Sequence, residues 1–100
     1  MGGMADVTMT GTEAIRSELW NLGVQFIITG RRYLLARHGG TSATDWNSFW
    51  CWPIMENGDV VRGAREREIK IPNQAKVTIT RPGKPGYLSW EEWVARGYQA

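Results

Sequence analysis

Residues 46–52, WNSFWCW, contain three tryptophans and one phenylalanine in seven consecutive positions. Side chains alternate between the two faces of a β-strand, so a strand in this segment is apolar on both faces. Strands of that kind normally lie inside a sheet with a layer packed on each side. The chain therefore has to fold so that both faces of this strand are covered at least in part.

The dipeptide Asn57-Gly58 predicts the tip of the next hairpin, because both central residues of a type I′ turn need positive φ. A two-residue turn at this tip sets Trp50 opposite Arg65. One face of the hairpin then changes from aromatic to cationic along its length, and it carries Trp50, Trp52, Arg65 and Arg67. The other face is predicted to carry Arg62, Glu66, Glu68 and Lys70.

A second hairpin is predicted earlier in the chain, around Gly30-Arg31, which suits a type II′ turn. Its pairing gives one strongly apolar face that consists of Phe26, Ile28, Tyr33 and Leu35. Further along, KVTIT (76–80) alternates in the manner of a short strand.

Two segments have helical patterns. Ile15, Leu19 and Leu22 recur at spacings of four and three, which predicts a helix over 13–22 with Thr12 as N-cap. Near the C-terminus, Ser89 and Glu92 have capping-box spacing and predict a short second helix.

In chain order these elements are a helix, five antiparallel strands in a meander, and a helix. We therefore predict an α+β fold, and a half-open barrel is the alternative arrangement of the same strands. Residues 1–10 lack periodicity and are expected to form a flexible tail, with 11–100 as one domain. One hundred residues suit a single domain.

Charge and cysteine content exclude several classes of protein. The net charge is only +2, but residues 62–84 are rich in lysine and arginine, whereas residues 39–59 contain three acidic residues and no basic one. This distribution weakens a general nucleic-acid interpretation and leaves a local basic patch. The single Cys51 excludes an internal disulfide or a multi-cysteine metal site and fits a cytoplasmic location.

The sequence favours no particular enzyme. His38 is the only histidine, and with Asp45 it defines the one loop in which a catalytic pair is conceivable. One histidine does not form a zinc site unaided, and the spacing does not favour a catalytic triad. We expect no catalytic residue, no metal and no cofactor, and a hydrolase or transferase that uses His38 is the third hypothesis.

The favoured hypothesis is a small non-enzymatic binding or adaptor protein. It acts through the aromatic and cationic sheet surface formed by Trp46, Trp50, Trp52, Arg65 and Arg67. Interface cores are enriched in tryptophan and arginine, so self-association as a dimer is expected, with a protein or small ligand as further partner. The alternative is binding of single-stranded nucleic acid or an anionic small ligand by the same surface. The longest apolar runs are too short to cross a bilayer, and no membrane partner is expected.

Overall fold

The computed structural model describes residues 6–39, 46–55, 59, 61, 63–80 and 90–96. These residues form two helices and six strands: β1 (Val7–Thr10), α1 (Gly11–Ser17), β2 (Gln25–Ile28), β3 (Arg31–His38), β4 (Ser48–Ile54), β5 (Arg67–Lys70), β6 (Lys76–Thr80) and α2 (Trp90–Ala95). All six strands belong to one open antiparallel sheet in the order β1-β6-β2-β3-β4-β5. The predicted α+β class is confirmed.

The predicted five-strand meander is correct only for β2 to β5, because β6 returns to lie between β1 and β2. Residues 71–75 join β5 to β6, although the two strands lie four places apart in the sheet. Four strand spacings in a flat sheet amount to about 19 Å. The connection is a tight turn, in which the Ala75 N–H donates to the Pro72 carbonyl, and it cannot span that distance. The sheet therefore curls.

The prediction that residues 1–10 form a flexible tail is wrong for Val7–Thr10, because these residues form strand β1 and pair with β6 along their whole length. Residues 1–5 lie outside the described residues. The strand leads directly into α1, and Gly11 at the junction lies against the 72–75 turn, where its N–H donates to the Ala75 carbonyl. A Cβ at Gly11 would lie 1.9 Å from the Pro72 carbonyl oxygen, so only glycine fits there.

Helix α1 begins and ends earlier than predicted. Its N-cap is Thr10 rather than Thr12, and Thr10 forms a capping box with Glu13 in which each side chain accepts from the other residue's backbone N–H. The hydrogen bond from the Thr10 backbone, followed by that from its side chain, lowers the pKa of the Glu13 carboxyl. The helix ends at Ser17, and Leu19 packs into the core from the turn that follows it.

The β2–β3 hairpin turns at Thr29 and Gly30, which have φ of 51° and 76°. These angles define a type I′ turn and not the predicted type II′ turn one residue later. The pairing of Phe26 with Tyr33 therefore differs by two positions from the predicted pairing with Leu35. An even difference leaves side chains on the same face, and the predicted apolar face is confirmed.

The curled sheet has a buried cluster on each face. The inner cluster is large and combines α1, the 71–75 connection and the sheet; its buried members are Ala14, Ile15, Leu19, Phe26, Ile28, Tyr33, Leu35, Phe49, Cys51, Ile71, Val77 and Ile79. The outer cluster is small and consists of Leu34, Ile54 and Trp93, with Trp52 packed against it. Both faces of β4 are thus covered, as its composition requires.

Among the described side chains of α2, Trp93 is the one that packs on the outer face. Its indole is fully buried, whereas the neighbouring Val94 is 45% exposed. We expect Trp93→Ala to lower the free energy of unfolding by about 3 kcal/mol, because it leaves a cavity over Leu34 and Ile54. Val94→Ala should change it by less than about 0.5 kcal/mol. Urea denaturation of both variants measures the difference, and equal effects would show that α2 does not pack through Trp93.

Candidate functional site

The pairing of β4 with β5 differs from the prediction by an odd number of positions. Trp50 lies opposite Glu68, and Cys51 lies opposite Arg67, so the predicted pair of Trp50 with Arg65 is wrong. A displacement of three positions exchanges the faces of every side chain in the second strand. Glu68 therefore shares a face with Trp50, while Arg67 shares a face with Cys51.

A local turn accounts for part of this displacement. The Ala64 N–H donates to the Val61 carbonyl at 3.0 Å, and Gly63 within the turn has φ of 75°. These residues leave the strand ladder, and β5 begins only at Arg67. The predicted tip, Asn57-Gly58, lies outside the described residues.

Trp50 does have a cationic partner, although it is not Arg65. The guanidinium of Arg37 lies 4.7 Å from the centre of the Trp50 ring, which is a cation–π contact. Arg37 Nε also donates to Glu66 Oε2 at 3.1 Å. The cation over this tryptophan is therefore already paired with a carboxylate, which makes the patch a poor site for an anion.

The other predicted surface residues do not meet at one site. Trp52 shares the outer face with Trp50 and packs against the cluster of Leu34, Ile54 and Trp93. Trp46 is exposed just before β4, and Arg65 is exposed just before β5.

His38 at the end of β3 packs against residues of two other segments. Its Nε2 lies 2.9 Å from the Leu19 carbonyl oxygen, and its ring contacts Trp20 and the edge of Phe49. Asp45, the predicted partner, lies outside the described residues.

The thiol of Cys51 is fully buried in the inner cluster. Burial raises its pKa strongly, and the negative charge of Glu66 raises it further. This environment suits a structural cysteine, because a nucleophilic thiol needs a lowered pKa.

A groove of about 630 Å³ opens at the end of the sheet where the β2–β3 turn, the end of β4 and residues 61–67 meet. Its described lining consists of Ile27, Gly30, Arg31, Arg32, Tyr33, Pro53, Ile54, Val61, Gly63, Ala64 and Arg67. We call it the arginine groove, because three of these side chains are arginines. Its volume lies within the range of about 300–1,000 Å³ that is typical of small-molecule sites.

No aspartate or glutamate is among the described residues that line the arginine groove. Arg31 and Arg67 are exposed, and the one ion pair formed within the described ranges joins Arg37 to Glu66 instead. Arg32 is half-buried and donates from Nη1 to the Thr80 hydroxyl. Its Nε is buried and has no hydrogen-bond partner among the described residues. The groove thus gathers positive charge that the described residues do not neutralise.

Only one predicted site residue, Arg67, lines this groove. Arg31 and Arg32 were missed, because the predicted hairpin made Arg31 part of the turn and the hypotheses placed the binding surface on the tryptophan hairpin. The sequence signal was the pair of adjacent arginines after Gly30. Nothing local in the sequence links that pair to Arg67, which is brought to the groove by β5.

In the described ranges, no three His, Cys, Asp or Glu side chains form a group suited to hold a metal ion. Among the same residues, no helix has both the length and the apolar composition needed to span a bilayer. Comparisons with protein-family models, curated proteins and solved structures find no match to this chain.

Proposed function

We propose that this chain is a small non-enzymatic binding protein that holds an anionic ligand in the arginine groove. The observation that carries the proposal is the presence of three arginines around one cavity without a described acidic residue in its lining. Guanidinium groups pair with carboxylates and phosphates through two parallel hydrogen bonds, which suits them to recognise such groups.

Charge favours an anion in this groove. Three like charges around one cavity repel each other, and a bound anion removes that repulsion. Arg31 and Arg67 are exposed and therefore accessible to such a ligand, whereas Arg32 already donates to the Thr80 hydroxyl on β6.

The predicted class, a small non-enzymatic binding protein, is kept, but binding is assigned to the arginine groove and not to the predicted aromatic and cationic sheet surface. Arg67 remains in the site, whereas Trp46, Trp50, Trp52 and Arg65 do not line the groove. The hydrolase or transferase hypothesis gains no support, because His38 is not among the lining residues and bonds to a backbone carbonyl instead. Cytoplasmic location remains a prediction.

Isothermal titration with inorganic tripolyphosphate at low salt tests the site. We expect Arg31→Gln and Arg67→Gln each to weaken binding about tenfold or more, since a hydrogen bond to a charged group contributes about 1.5–3 kcal/mol. Arg65→Gln is the matched control, because it removes the same charge from an exposed neighbour outside the groove.

Two results would contradict the proposal. One is the absence of any tripolyphosphate binding by the folded protein at low salt. The other is equal weakening by Arg65→Gln and Arg67→Gln, which would indicate a diffuse electrostatic attraction instead of a defined site.

Self-association is a second proposal, and the two outer strands of the described sheet support it. The edge strand β5 carries Arg67, Glu68 and Lys70, and charges of this kind protect an edge from pairing with another chain. The other edge strand, β1, has the uncharged sequence VTMT and an exposed Val7. We expect two copies to pair through β1 and form a continuous sheet with two-fold symmetry.

Light scattering after size-exclusion chromatography tests this association at high micromolar concentration. We expect a dimer for the unaltered chain and a monomer for Thr8→Lys, which adds a charge to the exposed edge. Gln74→Lys adds the same charge at an exposed turn and should remain dimeric. A monomeric unaltered chain, or dissociation by both variants alike, would exclude pairing through β1.

A further inference from the structure

We propose that the ligand of the arginine groove is a nucleotide unit, that is, a base with phosphate attached. This inference rests on the proposed anion site and adds the chemical class of its ligand. Two kinds of molecule contain such a unit: a free nucleotide and a single-stranded nucleic acid. The distribution of charged and apolar side chains in the groove carries the argument.

The groove is as apolar as it is cationic. Five of its described lining residues have aliphatic or proline side chains: Ile27, Pro53, Ile54, Val61 and Ala64. A small inorganic anion would satisfy the arginines and leave the four of these side chains that are not buried, Ile27, Pro53, Val61 and Ala64, partly facing water. A purely apolar ligand would cover them and bury guanidinium groups without partners, which is costly. A ligand with both an anionic part and a flat apolar part pairs with the arginines and covers the apolar side chains.

Strand order places the apolar floor between cations. Arg31 on β3, Pro53 on β4 and Arg67 on β5 alternate to the same face of the sheet, whereas Arg32 and Ile54 point to the other face. Strand β4 lies between β3 and β5. Neighbouring strands are about 4.8 Å apart, so β3 and β5 lie about 10 Å apart, and Arg67 is level with Leu35, about 13 Å along β3 from Arg31. A base over Pro53 thus has Arg31 toward one end of the groove and Arg67 toward the other.

This arrangement favours a nucleic-acid strand over a free nucleotide. Within a strand each nucleotide has a phosphate on both its 5′ and 3′ sides, whereas a free nucleotide carries its phosphates on one side. Bases that are not paired stack on aromatic side chains and on guanidinium planes, and this stacking tolerates different bases. Three arginines also predict a salt dependence equivalent to about two or three phosphate contacts.

Four probes separate the contributions of phosphate, base and strand to the affinity. They are inorganic tripolyphosphate, uridine, uridine triphosphate and a uridine octanucleotide, each titrated calorimetrically at two salt concentrations. We expect uridine triphosphate to bind at least tenfold more tightly than tripolyphosphate, and uridine alone to bind far more weakly. The octanucleotide should bind more tightly still, with a slope of log affinity against log salt of about −2.

A pair of valine variants tests the base contact separately from the charge. Val61 lines the groove and is 39% exposed, whereas Val94 is 45% exposed on α2 and lies outside it. We expect Val61→Ser to weaken uridine triphosphate about threefold or more without changing tripolyphosphate, and Val94→Ser to change neither. Circular dichroism of both variants confirms that they fold.

Each outcome distinguishes this inference from the proposed anion site. Equal affinity for tripolyphosphate and uridine triphosphate, or no effect of Val61→Ser, would overturn the nucleotide inference and leave the anion site intact. Failure of every anionic probe to bind would overturn both. Binding of the octanucleotide no tighter than uridine triphosphate would identify the free nucleotide as the source, and tighter binding that depends on Arg31 and Arg67 would identify the strand.

Discussion

The pairing between β4 and β5 determines which side chains share each face of the sheet, and therefore where positive charge accumulates. Phe49 and Cys51 on β4 point into the inner cluster, and Ile69 on β5 packs against the same cluster from directly opposite Phe49. A displacement by one position would turn Ile69 to the outer face and bring a charged neighbour inward. Burial of these apolar side chains thus stabilises a register in which Arg67 lies away from Trp50.

The same burial links the sheet to the arginine groove. Ile71 is fully buried directly after β5, and the tight turn that follows returns the chain to β6 beside β2. The sheet curls to allow this return, and the groove opens at its end, where the β2–β3 turn meets the segment before β5. Its arginines therefore project from strands that the core holds in place, which limits the conformational entropy lost when a ligand binds.

Local sequence patterns predicted a strand pair well where an error in the turn position left each side chain on its predicted face of the sheet. The β2–β3 hairpin was misplaced by two pairing positions, and Phe26, Ile28, Tyr33 and Leu35 still reached the predicted face. Strand β1 was missed because four residues contain too little periodicity to identify it. The capping box of Thr10 and Glu13 was present in the sequence, but the helical pattern was assigned to the later Thr12.

The site was less predictable than the fold, because its residues meet only through tertiary structure. An Asn-Gly turn indicates a hairpin, but it does not indicate the additional turn between Val61 and Ala64. The observed pairing of β4 with β5 differs from the predicted one by three positions, an odd number, so Arg67 lies on the opposite face from Trp50. Arg37 reaches Trp50 from β3, and no spacing within β4 and β5 indicates that contact. The three arginines of the groove likewise come from strands that are not adjacent in the sheet.

The nuclear Overhauser contacts between β4 and β5 in solution test the central claim most directly. The proposed register predicts cross-strand backbone contacts between Trp50 and Glu68 and between Cys51 and Arg67. Contacts between Trp50 and Arg65 would instead show the register of a two-residue hairpin. In that register Arg65 and Arg67 lie on the same face as Trp50, which would contradict the arginine groove.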